Sequence, residues 1–374
     1  MRVGIYLADQ VWRLTSSKGI YAYSRLLTAA LLRGLPAHDW TLIVNGENHG
    51  DMVPAGSAAH VVELPAACAR GGLRLLADQV LAPLVAGRRQ LDLLHFPKGF
   101  TPVFSGATRL TATVHDIIPI HYARDHPGHF PRAQLRYLHA MFLNTLRRAT
   151  AVATDSEFSR GELLALAREN AIAPPPIEVC SPTPAPALVR DEGPPASSRP
   201  AQLLHLGSPL PHKRTAQTIR LFRRYNLARG RRWRMRVTGL SAPPRDVEAG
   251  DDVEYLGSVG ADALRDEMAG ARALLLLSSI EGFGLPALEA WFVGTPVCYA
   301  AAGSLPEVLE GVPGRCESPT DDAFAEALDA VLTLEEAQRV RIARHLRERY
   351  GLDAFRARVE NLFSQWMAAP RRTG

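Results

Sequence analysis

The sequence contains no apolar run of the roughly 18 residues that a membrane-spanning helix requires, so no spanning helix is expected. Its four cysteines, Cys68, Cys180, Cys298 and Cys316, lie far apart and none forms a C-x-x-C pair. That spacing argues against a structural zinc site and a disulfide framework, and favours a reducing cytoplasm. The start carries one basic residue, and its apolar stretch stops at Asp9, which is not the pattern of a signal peptide. No G-x-G-x-x-G follows the first apolar run: "GIYLADQVW" holds only Gly4, which disfavours a nicotinamide-dependent dehydrogenase. A large excess of one charge is also lacking. Against 38 acidic residues stand 43 basic ones, a net charge of +5. That suits a small anionic ligand or contact with an acidic membrane rather than nucleic acid. The densest basic stretch, "RRYNLARGRRWRMR" from Arg223 to Arg236, reads first as a solvated helix face, with contact to anionic lipid as the sharper alternative.

What is present is a soluble, two-part rhythm. The chain is 47% hydrophobic and 22% charged over 374 residues, enough for two or three domains. Short β-branched runs at 2–7, 40–45, 60–64, 92–96, 109–115, 151–154 and 177–180 alternate with helical patterns at 21–33, 73–86, 131–147 and 159–169. This is the βαβ alternation of a doubly wound parallel sheet. "SPTPAPALVRDEGPPASSRPAQ" (Ser181 to Gln202) then breaks the pattern and reads as a linker. The rhythm restarts with strands at 203–208, 235–239, 253–257, 273–278 and 296–300, separated by helices at 213–229, 261–269, 286–293, 304–309 and 320–333. The expected architecture is α/β, with two Rossmann-like domains facing a cleft: 1–182, a linker 183–201, and 202–351. A helix within 352–374, apolar at Phe355, Val359, Leu362 and Trp366, is expected to cross back to the N-terminal domain.

The stretch with most chemistry is "SSIEGFGLPALEAW", Ser278 to Trp291. An apolar strand precedes it and a helix opened by Pro286 follows. Free N–H groups at such a helix start attract phosphate, and Gly282 and Gly284 permit close backbone approach. Carboxylates repel phosphate, so Glu281 and Glu289 need another purpose. Each can accept hydrogen bonds from hydroxyls, Glu289 from a ribose and Glu281 from a sugar at the other end of a pyrophosphate.

Glu281 and Glu289, in the setting E-G-F-G-L-P-x-L-E-A, resemble the E-x7-E motif of retaining glycosyltransferases of family 4, which have the GT-B fold. "TVHDIIP" (Thr113 to Pro119), "DSEFSRGEL" (Asp155 to Leu163), "GSPLPHK" (Gly207 to Lys213) and "GSLPEVL" (Gly303 to Leu309) occur in the family's order, and their forms are similar to its mannosyltransferase-like branch. The resemblance implies that Glu289 binds the ribose and Glu281 lies near the donor sugar. It implies that Phe283, Gly284 and Leu285 touch sugar or pyrophosphate through their backbones, together with Gly282, Gly207 and Ser208. Lys213 would pair with the diphosphate, with His212 and Arg214 beside it, and His115 would reach the donor sugar. Gly19 belongs to the family's N-terminal glycine loop. Stabilising the diphosphate as it leaves is electrostatic catalysis. The family's front-face retention needs no protein nucleophile. With Lys213 supplying the charge and no D-x-D in a suitable loop, no metal and no cofactor are expected.

Two departures stand out. His212 occupies a place where arginine is common and is a weaker, pH-dependent cation. Tyr21 adds bulk in "GIYAY" (Gly19 to Tyr23) where a glycine is usual. They motivate the alternative of a non-catalytic sugar-nucleotide binder or reprogrammed relative on the same scaffold. The resemblance otherwise implies transfer from a nucleotide-diphosphate sugar to a saccharide, a lipid-linked saccharide or a small-molecule natural product, with domain closure on donor binding. A peripheral contact with the inner face of the membrane stays open. "RGGLRLLADQVLAPLVAGRR" (Arg70 to Arg89) is either such a surface or a core-packing helix with basic ends. Read alone, the His-Asp of His115 and Asp116 is structural more often than catalytic, and Asp116 is expected to orient the following turn.

Overall fold

The computed structural model describes residues 1–15, 18–189 and 198–369. The chain divides into two compact units, Met1–Pro182 with Asp353–Gly374, and Thr183–Leu352.

In the N-terminal unit seven strands, β1 (Arg2–Tyr6), β2 (Asp39–Asn45), β3 (His60–Leu64), β4 (Leu93–Phe96), β5 (Arg109–Thr113), β6 (Ala151–Thr154) and β7 (Ile177–Val179), form one sheet. Its order is β3-β2-β1-β4-β5-β6-β7, and each neighbouring pair is parallel. The order reverses between β1 and β4, the place where doubly wound sheets leave a crevice at their carboxyl ends. The C-terminal helix Leu352–Ala368 belongs here from Asp353 onward. Its Phe355 ring lies 5.9 Å from Tyr23, and Phe363 and Trp366 lie 4.9 and 5.9 Å from the buried His95 ring. Arg109 ties the helix end down, donating to the carbonyls of Trp366 and Ala369 at 3.0 and 2.7 Å.

The C-terminal unit repeats the plan with β8 (Gln202–Leu206), β9 (Arg234–Thr238), β10 (Val253–Gly257), β11 (Ala273–Leu276), β12 (Val297–Ala300) and β13 (Arg315–Cys316). The order is β10-β9-β8-β11-β12-β13, again all parallel. Side chains alternate across the sheet, as strand geometry requires. Leu204, Leu274 and Leu276 pack with Trp291, Phe292 and Tyr350, whereas Leu203, Leu275 and Met235 pack with Phe222 and Phe324. All four cysteines are buried and free.

Several expectations are corrected. The strand expected over 109–115 ends at Thr113, which leaves His115 in a loop. The helix expected over 213–229 runs Thr215–Ala228, because Arg214 takes a left-handed conformation (φ 49°, ψ 33°) and Pro211–Lys213 form a 3-10 turn. The helix expected over 73–86 is broken in the middle: Gly71–Leu76 and Ala82–Arg88 flank a π-helical turn, Ala77–Leu81. Helices at Ile118–Asp125 and Glu336–Tyr350, and the two-residue strand β13, were not expected. The expected linker is partly packed. Thr183 and Leu188 are buried, and Arg199 donates to Ala271 O, Thr295 Oγ1 and Gly294 O at 2.9, 2.7 and 3.0 Å; its residues 190–197 lie outside the described residues, as do residues 370–374 of the C-terminal segment. The basic stretch from Arg223 is a helix face and strand, and four of its seven arginines are paired. Arg223 meets Asp252, Arg224 meets Asp321, Arg229 meets Asp329, and Arg236 meets Glu254 and Glu267, all within 2.6–2.8 Å.

Candidate active site

In the C-terminal unit the reversal of strand order falls between β8 and β11. The loops leaving these two strands carry the expected binding residues. After β11, the chain turns through Ser278 to Gly284 and enters the helix Leu285–Phe292, with Pro286 in its first turn. Gly284 is the N-cap, with φ 85°, so no side chain caps this helix. The N–H groups of Phe283 and Gly284 have no backbone acceptor among the described residues. Phe283 turns its ring into the core, 5.5 Å from Tyr350, so only its backbone faces the loop. Free N–H groups and the positive end of the helix dipole make such a helix start attractive to an anion.

After β8 comes the loop with Gly207, Ser208 and the 3-10 turn Pro211–Lys213. Two contacts join it to the β11 loop. Ser279 N donates to His212 O at 2.7 Å, and Lys213 Nζ donates to Glu281 Oε1 at 2.7 Å. A third loop, after β12, grips Glu281 from behind. Ser304 donates to the Glu281 carbonyl through both N and Oγ, each at 3.1 Å. Gly303 sits so close that a Cβ there would fall 2.5 Å from the Glu281 N and O.

Glu281 is buried. Burial pushes its carboxyl up, but the charge and hydrogen bond of Lys213, a hydrogen bond from Ser278 and the charge of His212 outweigh this, and it sits below its ordinary value. Glu289, one turn into the helix, has only the charge of Lys213 to offset its burial and is pushed up to about 7. Two carboxylates eight positions apart are therefore held in opposite tendencies by their surroundings. Arg214 and Ser208 go elsewhere. They line a cavity of about 640 Å³ with Arg220, Leu240, Pro243 and Arg245. The expected binding residues thus fall into two groups, Lys213 with Glu281 and the helix start, and Arg214 with Ser208.

His115 is placed in the N-terminal unit beyond the end of β5. Its Nδ1 lies 2.9 Å from Asp155 Oδ2, and its Nε2 lies 2.9 Å from Pro97 O. A carbonyl and a carboxylate only accept, so the arrangement suits a ring that donates from both nitrogens, the protonated form. Burial lowers its proton affinity, yet the Asp155 charge and hydrogen bond and the Pro97 carbonyl raise it above the ordinary histidine value. Next to it, His95 lies between Thr111 Oγ1 and Thr113 Oγ1. Burial and the nearby His115 push it down to about 3. Asp116 accepts from Ile118 N at 2.9 Å and so orients the following turn.

Gly19 lies in the first turn of the helix Lys18–Gly34, not in a glycine loop. Tyr21 does not crowd a backbone: its ring packs 5.3 Å from Trp12 and its hydroxyl donates to Asp51 at 2.7 Å. It is Tyr23 that touches His115, edge-on at 4.7 Å. Three contributors escaped the sequence reading. Asp155 opens the quoted "DSEFSRGEL", where the next residue, Ser156, caps the following helix through Ser159 N at 3.0 Å. His205 joins Leu275 O to Thr215 Oγ1 at 3.0 and 3.1 Å, locking β8 to β11 and to the next helix. Ser304 follows Gly303 in a motif noted only for its position.

Residues 191–349 match the family model described as glycosyl transferases group 1. The O-antigen chain mannosyltransferase B of Escherichia coli is 28% identical over 248 residues, 61% of this chain and 62% of that protein. The chain spans less than two thirds of the lengths of the first curated relatives it matches, 25%, 62% and 30%. Among solved structures, the sucrose-phosphate synthase of Thermosynechococcus elongatus superposes with a TM-score of 0.68 at 18% identity, over 99% of this chain and 100% of that one. Anabaena Alr3699/HepE in complex with UDP-glucose superposes with a TM-score of 0.64 at 17% identity, over 98% and 100%. The chain therefore has the GT-B fold, with the group 1 glycosyl transferase model matched across nearly all of its C-terminal unit.

Proposed function

We propose that this chain is a retaining glycosyltransferase of family 4. It moves a sugar from a nucleotide-diphosphate sugar to a hydroxyl of a saccharide, a lipid-linked saccharide or a small-molecule acceptor, in the cytoplasm and without a metal. The observation that carries the reading is the Lys213–Glu281 pair, 2.7 Å long, beside the uncapped start of the helix Leu285–Phe292. The diphosphate would meet the N–H groups of Phe283 and Gly284 and the ammonium of Lys213. Glu289 would accept from the ribose hydroxyls and Glu281 from those of the sugar. As the bond from sugar C1 to the phosphate oxygen breaks, the charge that grows on the diphosphate is met by groups already in place. The acceptor oxygen bonds to C1 from the same face, and its proton passes to the departing phosphate oxygen. Configuration at C1 is kept and no protein nucleophile is used. The mannosyltransferase named above and the UDP-glucose complex support the donor class.

His115 enters this scheme as a fixed cation. With both nitrogens engaged, its contribution is positive charge and the shape of the loop after β5, not a free base.

The test is a thermal-shift screen of UDP-, GDP-, ADP- and dTDP-sugars with wild type and Glu289→Ala, with and without magnesium, followed by product analysis with candidate acceptors. A ligand bound only by the native state raises Tm. A shift with one nucleotide class, lost in the variant and indifferent to magnesium, supports the reading. Binding without turnover in the presence of any acceptor would favour the non-catalytic alternative.

A further inference from the structure

The segment from Arg70 to Arg89 turns its large side chains outward. Ala77, Ala82 and Ala86 are buried against Tyr6, Leu91, Leu94 and Phe96. Leu73, Leu75, Leu76, Val80 and Leu84 are instead 43–51% exposed. This inverts the usual placement, in which a surface helix buries its leucines and shows polar groups to water. Leu73, Leu76, Val80 and Leu84 recur at spacings of three, four and four residues, which place them on one stripe, with the π-helical turn Ala77–Leu81 at its middle. From Gly71 to Gly87 every exposed residue is apolar or glycine. The neighbouring loop extends the patch: Val103 N is held by Gln79 Oε1 at 2.9 Å, and Phe104 is 74% exposed.

Charge is distributed to match. The one acid between Arg70 and Arg89, Asp78, points inward and accepts from Tyr6 Oη at 2.6 Å. Arg74 also turns in, 3.6 Å from Asp9 and 3.5 Å from Asp78. The exposed arginines stand at the two ends, Arg70 before the stripe and Arg88 and Arg89 after it. Neither Arg88 nor Arg89 has an acidic partner among the described residues. An apolar stripe with cations at its margins matches a bilayer surface, where acyl chains take the leucines and anionic headgroups the arginines. No described helix is long and apolar enough to cross a membrane, so the arrangement is one for lying on the surface.

We infer that the face formed by Leu73, Leu76, Val80, Leu84 and Phe104, flanked by Arg88 and Arg89, docks the protein on an anionic lipid bilayer. This is independent of the transfer reaction proposed above.

Vesicle flotation of the full chain tests it, with phosphatidylcholine vesicles and with phosphatidylcholine–phosphatidylglycerol vesicles. The wild type is expected to float with the mixed vesicles far more than with pure phosphatidylcholine, and less at high salt. The triple substitution Leu76→Ser, Leu84→Ser, Phe104→Ser should weaken binding by at least about tenfold. Arg88→Glu with Arg89→Glu should remove the preference for phosphatidylglycerol. The replaced side chains are exposed, and unfolding curves matching the wild type would confirm that each variant is folded. Failure of the wild type to float, or flotation of the triple variant at the wild-type level, overturns the proposal. So does a wild-type dimer, seen by sedimentation velocity, that the triple variant dissociates while neither floats; the face would then belong to a second copy of the chain.

Discussion

The Nζ of Lys213 donates to Glu281 Oε1 at 2.7 Å, and the backbone of that same glutamate is clamped by Gly303 and Ser304. One residue is thus fixed by loops that leave three different strands.

Replacing Lys213 with Met should cost about 2 kcal/mol of stability, because Glu281 is left buried without its cation. Under the proposed mechanism, kcat/KM should fall by about 10²–10³-fold, since the departing diphosphate loses a charge partner. The double variant Lys213→Met, Glu281→Gln should regain much of the stability and none of the activity. Urea unfolding and initial rates on the same preparations separate the two effects.

Gly303→Ala forces a side chain into a left-handed position (φ 60°) and against the Glu281 backbone, 2.5 Å away. The expected loss is about 1–3 kcal/mol, together with weaker nucleotide binding because Glu281 is displaced. Wild-type stability and nucleotide affinity in this variant would show that the loop yields.

Glu289 sets a pH dependence. Its folded-state value of about 7 exceeds the ordinary 4.5, so the folded state holds a proton that the unfolded state has lost. Stability from this group is complete below about pH 4.5 and is lost as pH rises to about 7. Glu289→Gln should remove that slope and make the protein more stable than wild type above neutrality. Nucleotide affinity should move the opposite way in the wild type. It weakens as pH falls through about 7, because a protonated Glu289 is a poorer acceptor for ribose hydroxyls. Parallel titrations of Tm and nucleotide affinity check both signs.

His115 runs on a different window. Its value is raised above the ordinary 6.5 by Asp155 and Pro97 against the pull of burial, so its stabilising contribution is complete below about pH 6.5 and fades as pH rises through the raised value. The stability gap between wild type and Asp155→Asn should be widest near pH 6 and narrow in alkali. A gap independent of pH would mean that the pair is not charged.

Sequence pattern was sufficient for the longer strands, which are apolar runs buried along most of their length, and for the helices that show one apolar stripe. It failed where neither an apolar run nor an apolar stripe is present. The helix Glu336–Tyr350 buries Arg339 beside Leu346 and Tyr350 and is polar around most of its surface, and β13 is only two residues long. Within the candidate site, Lys213, Glu281 and Glu289 could be named as candidates from the sequence because their motifs are local. The Gly303–Glu281 clamp and the His115–Asp155 pair join residues 22 and 40 positions apart, and no local pattern encodes such a meeting. Tyr21 misled for the same reason, since its partner Asp51 lies 30 positions away.

The C-terminal helix has a consequence for biosynthesis. Thr183–Leu352 is one continuous stretch, whereas the other unit is assembled from residues on both sides of it. On a ribosome, Phe355, Phe363 and Trp366 emerge after the whole of Thr183–Leu352, yet they cover rings laid down before it, Tyr23 and His95. The second unit can finish folding as it is made. The first must wait, its apolar surface open, until the helix Leu352–Ala368 has been made.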